Sequence, residues 1–186
     1  MAGDVEVSFR EDQFREVRRL LRSVPKAWPK VASRGINKTL STLRSRFVKR
    51  TSAQAGIKQK VIREHVRIKK ATRSVLSGLL RLLGGRIPLI DLKARQDKKG
   101  VSYTGRDGKR SSVPSAFIAT MPSGHTGVFK RTTGSRLPIQ ELFGPSLTGV
   151  FEKTGDIQRE TMDETEDLLE HYTAQEADRE LERRKG

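Results

Sequence analysis

The sequence predicts an α+β fold: a long basic N-terminal helix packed on a mostly antiparallel β-sheet or small β-sandwich, followed by an acidic C-terminal helix. Three observations carry this. Apolar residues recur at three- and four-residue steps from Trp28 to Phe47. The period falls to two in the stretches between residues 86 and 131. Residues Thr154 to Lys185 are rich in Glu, Asp and Arg, with few apolar side chains. Basic helices, then a run of strands, then an acidic helix is the element order of an α+β domain.

Taken in order, Val5, Val7 and Phe9 alternate with polar residues, which signals a strand. Residues 11–22 read as a short helix with Phe14, Val17, Leu20 and Leu21 on one face. Ser23 caps the next helix and Pro25 suits its first turn. Trp28, Val31, Ala32, Ile36, Leu40, Leu43 and Phe47 then form its apolar stripe, and Gly56 is the stop. Lys58 to His65 reads as a short basic helix, and Val66 with Ile68 as a strand.

LSGLLRLLGG at 76–85 is ambiguous between a helical turn and an apolar loop. RIPLIDLKA (86–94) reads as a strand. GVSYT and RSSVP form a hairpin across GRDGK, whose Asp107-Gly108 is a favourable turn pair. SAFIATM and GVFKR are two further strands around Pro122-Ser123-Gly124. LPIQELFGPSL is extended at Leu137–Ile139 and is expected to turn at Gly144-Pro145. The expected division is a basic α+β domain at 1–151 and an acidic helical extension at 152–186.

Charge and composition bound the function. The chain carries a net charge of +16 over 186 residues, with 34% apolar and 32% charged residues. That apolar share is well below the roughly 45–50% of an average globular domain, so completion of the core on a partner or in an oligomer is expected. Residues 152–186 hold 12 acids against 6 bases, net −6, so the preceding 151 residues carry +22. No acid lies between Glu16 and Glu64. Such a field attracts polyanions or an acidic protein wall, and an acidic tail on a basic body can dock in trans on a neighbouring copy. Cysteine is absent, which excludes disulfides, thiolate metal sites and a Cys nucleophile. No apolar run reaches the roughly 20 residues of a bilayer span. MAGDVEVSFRED is too acidic and too polar for a signal peptide, so a cytoplasmic origin is expected.

The chemistry-bearing constellations are sparse. His65, His125 and His171 are far apart in sequence and have no second ligand at metal spacing. His125 in SGHTG is a candidate general base beside Ser123 and Thr126, but there is no nucleophile elbow, and a turn that meets a partner is the preferred reading. TGRDGKR lacks the spacing of a phosphate loop and reads as a basic hairpin tip. Asp163, Glu164, Glu166 and Asp167 lack the spacing and glycine of a calcium loop. Aromatic residues are only 5% of the chain, too few for a base-stacking platform, so contact with nucleic acid would be to phosphates. No cofactor and no metal is expected.

Five segments, in this order, resemble the minor tail protein Z family of tailed phages and prophages, also described as tail completion proteins. They are RGINKTLSTLRSR in the basic helix, IKQKVIREHVRIKKAT, the strand RIPLIDL, SAFIATMPSGHTGVFKR, and RLPIQELFGPSL ahead of Phe151. The resemblance covers most of residues 15 to 151. It implies a structural virion protein without catalytic residues, at the head-proximal end of the tail where tube, terminator and neck proteins meet. A symmetric ring around the DNA channel fits that place, with sixfold symmetry favoured. A ring subunit presents two unlike side faces to its neighbours. On this reading Lys38, Arg44, Arg46, Lys49, Arg50, Arg106, Lys109 and Arg110 contact the DNA channel or an acidic partner. His125, Phe129, Leu137, Pro138, Ile139, Leu142, Phe143, Gly144 and Pro145 form the docking segment. These apolar residues fill either the subunit's own core or a contact with a neighbour. Two other readings stand beside this one: a nonspecific nucleic-acid-binding protein acting through phosphates, and a hydrolase or nuclease using His125.

Overall fold

In the computed structural model, residues 4–7, 25–105, 109–147, 149 and 155–183 are described. The helix expected at 11–22 and the tip residues Arg106, Asp107 and Gly108 lie outside them. The chain divides into two compact units. The first takes its described residues from 2–47, 66–82 and 156–186, the second from 48–65 and 83–155. Helix α1 (Trp28–Ala55), entered through a 3-10 turn at Pro25–Ala27, contributes to both.

In the first unit the stripe on α1 is buried as its spacing demands. Val31, Ile36, Leu40, Leu43 and Phe47 are each at most 1% exposed. The sheet of this unit is three-stranded and antiparallel, built of β1 (Asp4–Val7), β3 (Gly78–Leu82) and β2 (Val66–Lys69), with β3 central. Ile68 pairs with Leu80 and Val5 with the same Leu80 on the other side. Ile36 and Leu40 lie directly over Gly78. Asn37 of α1 brackets the segment between β2 and β3. Its Nδ2 donates to the Ala71 carbonyl at 3.0 Å and its Oδ1 accepts from the Ala71 amide at 2.8 Å.

The stretch expected to be a helical turn or a loop at 76–85 is thus a central strand. Gly78, Leu80 and Leu82 alternate inward, and strands on both sides satisfy its backbone, so period two wins over local helix propensity. Helix α3 (Gly155–Glu182) completes this unit. Its Ala177 packs on Val31, with Trp28 and Leu181 beside them.

The second unit is strand-rich. The end of α1 stops at Gly56, whose φ of 67° is left-handed and whose amide closes on the Ser52 carbonyl at 3.0 Å. Helix α2 (Gln59–Glu64) buries Val61 and Ile62. Three small antiparallel sheets follow. One pairs β4 (Arg86–Pro88) with β11 (Phe143–Ser146). A second has the order β5 (Arg95–Gln96), β6 (Gly100–Thr104), β7 (Arg110–Pro114). The third has the order β8 (Ala116–Thr120), β9 (Thr126–Arg131), β10 (Ile139–Glu141). Ile62, Ile87, Leu92, Val101, Val128 and Leu147 form buried contacts of this unit, each at most 1% exposed.

Two expectations are corrected here. The strand at 86–94 ends at Pro88, which has no amide to continue a ladder, and the chain turns through a 3-10 helix at Leu89–Asp91 that buries Leu89 and Leu92. Gly144 and Pro145 do not make a turn. They lie within β11, where the register against β4 is irregular between Phe143 and Ser146, the kind of place that accepts a strand proline.

Candidate functional site

The site residues expected from sequence fall in three places. The first is the pairing of α1 with α3. Lys30, Arg34 and Lys38 recur every fourth residue on α1, and Glu176 and Glu180 do so on α3. Lys30 Nζ meets Glu180 Oε2 at 2.6 Å, Lys38 Nζ meets Glu176 Oε1 at 2.6 Å, and Arg34 reaches Glu176 at 3.6 Å. Arg46 donates to Glu164 at 2.8 Å. Lys38 also donates to Gln175 Oε1 at 2.9 Å and lies 5.9 Å from the Tyr172 ring centre. The Tyr172 hydroxyl shares a 3.0 Å hydrogen bond with Thr42.

Glu176 is the centre of this latch. Its side chain is only 5% exposed and also accepts from Arg179 at 2.9 Å. Burial alone would raise its pKa, but the hydrogen bonds and charges of Lys38 and Arg179 outweigh that and hold it below the usual carboxylate range. The helices approach closely at Gly35, where a Cβ would collide with Thr173 Oγ1. Beside the latch lies a groove of about 840 Å³, bounded by Asn37, Ser41, Lys70, Tyr172 and Arg183. Of the expected channel contacts, Lys38 and Arg46 are therefore engaged by carboxylates of their own chain. Arg44 and Arg50 are half-buried, and Lys49 is exposed.

The residues missed from sequence are Lys30, Tyr172, Glu176 and Glu180. The matched four-residue spacings on the two helices were the available signal. The opposite side of α3 keeps a second acidic stripe. Asp156, Glu160, Asp163, Asp167 and Glu170 are all exposed, and their three- and four-residue steps align them on one face.

The second place is the β8–β9–β10 sheet. His125 Nε2 faces Glu141 Oε1 at 2.9 Å, a carboxylate that sequence reading had not assigned to it, and its ring stands edge-on to buried Phe129 at 6.4 Å. Thr126 pairs instead with Thr120 at 2.8 Å. Arg131 lies over Phe117, 5.1 Å from the ring centre. Residues 132–138 are exposed throughout, and the loop closes through the Thr132 amide on the Pro138 carbonyl at 3.2 Å. The Leu137–Pro138 peptide is cis. Leu137 is 66% and Phe143 45% exposed, while Ile139, Leu142 and Gly144 are intermediate.

The third place is the β5–β6–β7 sheet. Lys98 and Lys99 sit in its first turn, and Lys109 and Arg110 follow its hairpin tip, all exposed. Arg110 donates to Ser102 Oγ at 2.6 Å.

Among the described residues, no group of three or more His, Cys, Asp or Glu side chains is placed to hold a metal ion. Nor is any described helix long and apolar enough to cross a membrane. No solved structure matches the chain. In sequence, it is similar to the tail completion protein of Escherichia phage N15, 29% identical over 145 residues, which is 72% of this chain and 78% of that protein. The family model described as prophage minor tail protein Z matches residues 15–183, taking in α1, every sheet except the β1 strand, and α3. The chain therefore belongs to the minor tail protein Z family of phages and prophages.

Proposed function

We propose that this chain is a structural tail completion protein, placed at the head-proximal end of a phage tail as one subunit of a ring that joins the tail tube or terminator to the neck around the DNA channel. The family match across residues 15–183 carries this reading. The surface is compatible with it. A closed ring needs two unlike faces on each subunit. The acidic stripe on α3 supplies one sign of charge, and the exposed Leu137 and Phe143 supply apolar contact elsewhere. The role is non-enzymatic, and assembly takes place in the host cytoplasm.

The test is deletion of the gene from the phage or prophage genome that carries it, with complementation in trans by a tagged copy. Loss of infectious particles, rescue by the copy, and label at one tail end only are expected. Normal titre without the gene, or label along the whole tube, would overturn the reading. Averaged end-on images of the labelled assembly then give the symmetry, for which six subunits are expected.

A further inference from the structure

We infer that the outer face of the β5–β6–β7 sheet is a contact surface for the phosphodiester backbone of duplex DNA, bound without regard to sequence. The inference deepens the proposed function, since it says which part of the subunit meets nucleic acid. Both the long helix and the hairpin are basic in sequence, and the structure distinguishes them by what their charges meet. On α1, Lys30, Lys38 and Arg46 already hold carboxylates of α3 at 2.6–2.8 Å. A phosphate arriving there would have to displace a bound carboxylate.

The sheet is different. Cross-strand partners share a face, so the pairings Arg95–Ser102–Ser112 and Thr104–Arg110 put Arg95, Arg110, Ser102 and Ser112 on one side. Arg95, Arg110 and Ser112 are exposed. Lys98 and Lys99 mark one end of β6 and Lys109 the other. Among the described residues of this sheet the one acid is Asp97, and it spends its carboxylate on the turn, accepting the Lys99 and Gly100 amides at 2.8 and 2.9 Å. Five residues of β6 span roughly 17 Å at about 3.4 Å each. That matches about five steps of duplex at 3.4 Å per strand, so several phosphates fall within reach.

The same face argues against a protein partner. Protein interfaces need an apolar centre, and among the described residues the exposed large apolar ones are Val75, Leu137 and Phe143, none of them on this sheet. It also argues against single strands. They need stacking aromatics, and Tyr103 alternates to the other side, half-buried.

The experiment is fluorescence anisotropy of the full chain with a labelled 30-base-pair duplex of mixed sequence, over a series of salt concentrations. The variant K98E/K99E/K109E is compared with K26E/K58E/K60E, which makes the same charge change at exposed lysines elsewhere. At least a tenfold loss of affinity is expected in the first. Its log-affinity against log-salt slope should fall by about 3, near 0.9 per lost phosphate contact. The control should keep most of both. Equal loss in the two variants, or none in the first, would overturn the inference. So would competition by polyglutamate as effective as unlabelled duplex, which would make the ligand an acidic polypeptide. If the reversal variant fails to fold, K98Q/K99Q/K109Q carries the same comparison. Gene deletion decides the tail role and this titration decides the surface, so either can fail alone.

Discussion

The α1–α3 helix pair and the β5–β6–β7 sheet are both rich in lysine and arginine, yet they use charge in opposite ways. On the helix pair Lys30, Lys38 and Arg46 point at Glu180, Glu176 and Glu164 of the same chain. On the sheet Lys98, Lys99 and Lys109 are exposed, and Asp97, the one acid among the described residues of that sheet, accepts backbone amides. A net charge of +16 is therefore not one basic surface. Part of it holds a marginal acidic helix in place, because a helix so poor in apolar residues needs a partner surface. The rest is presented to solvent.

The largest effect comes from breaking the latch at its centre. Glu176→Lys would set a fourth cation beside Arg34, Lys38 and Arg179, at a position 5% exposed. A loss of about 3 kcal/mol is expected, the upper end for a buried group left without its partner, since only Glu176 and not Lys38 or Arg179 is buried. Chemical denaturation measures it, and Lys38→Glu in the same chain should restore part of the loss. An unchanged midpoint in Glu176→Lys would mean that the latch is surface decoration. Gly35→Ala comes next. Its methyl meets Thr173 Oγ1, so α1 and α3 must separate or Thr173 must turn, at about 1–3 kcal/mol for overpacking. A neutral Gly35→Ala would show the helix contact to be looser than the structure has it.

The same contrast explains what was legible in the sequence. α1, α2, the β6–β7 and β8–β9 hairpins and α3 were readable because periodicity and turn chemistry are local. β3 was not, because an apolar run such as GLLRL has no period of its own and becomes a strand only between β1 and β2. Pro88 and the Gly144-Pro145 pair were misread for related reasons. A proline marks a break, but whether the break ends a strand or sits inside an irregular ladder depends on the partner strand. Of the expected channel residues, charge was visible and its occupancy was not. Lys38 and Lys109 look alike in sequence. Only the fold puts Glu176 against one and solvent against the other.

The third effect is smaller and depends on pH. Glu176 is held below the usual carboxylate range, because Lys38 and Arg179 outweigh the opposing effect of burial. Its contribution is fully present above the unfolded carboxylate value of about 4.3. It is lost as pH falls through the lower folded value. The melting temperature of the wild type should exceed that of Glu176→Gln most clearly near neutral pH, by an amount equivalent to about 1.5–3 kcal/mol for a hydrogen bond to a charged group. The gap should narrow in acid. A gap independent of pH down to strong acid would place the stabilisation in packing around Tyr172 and Thr42 rather than in the ion pairs.

The smallest effect on stability is expected where the largest effect on binding lies. Lys98, Lys99 and Lys109 are exposed, whereas Lys38 is held against Glu176 of α3 at 2.6 Å. Their triple reversal should leave the melting temperature unchanged within error, because surface substitutions away from caps and networks rarely matter. Lys38→Glu should do the reverse, lowering the melting temperature while leaving the salt slope of DNA binding near that of the wild type. The pair of variants measured in both assays forms a two-by-two test. If each variant moved both readouts alike, charge would act through the whole field of the protein, and the division between an internal and an outward use of it would collapse.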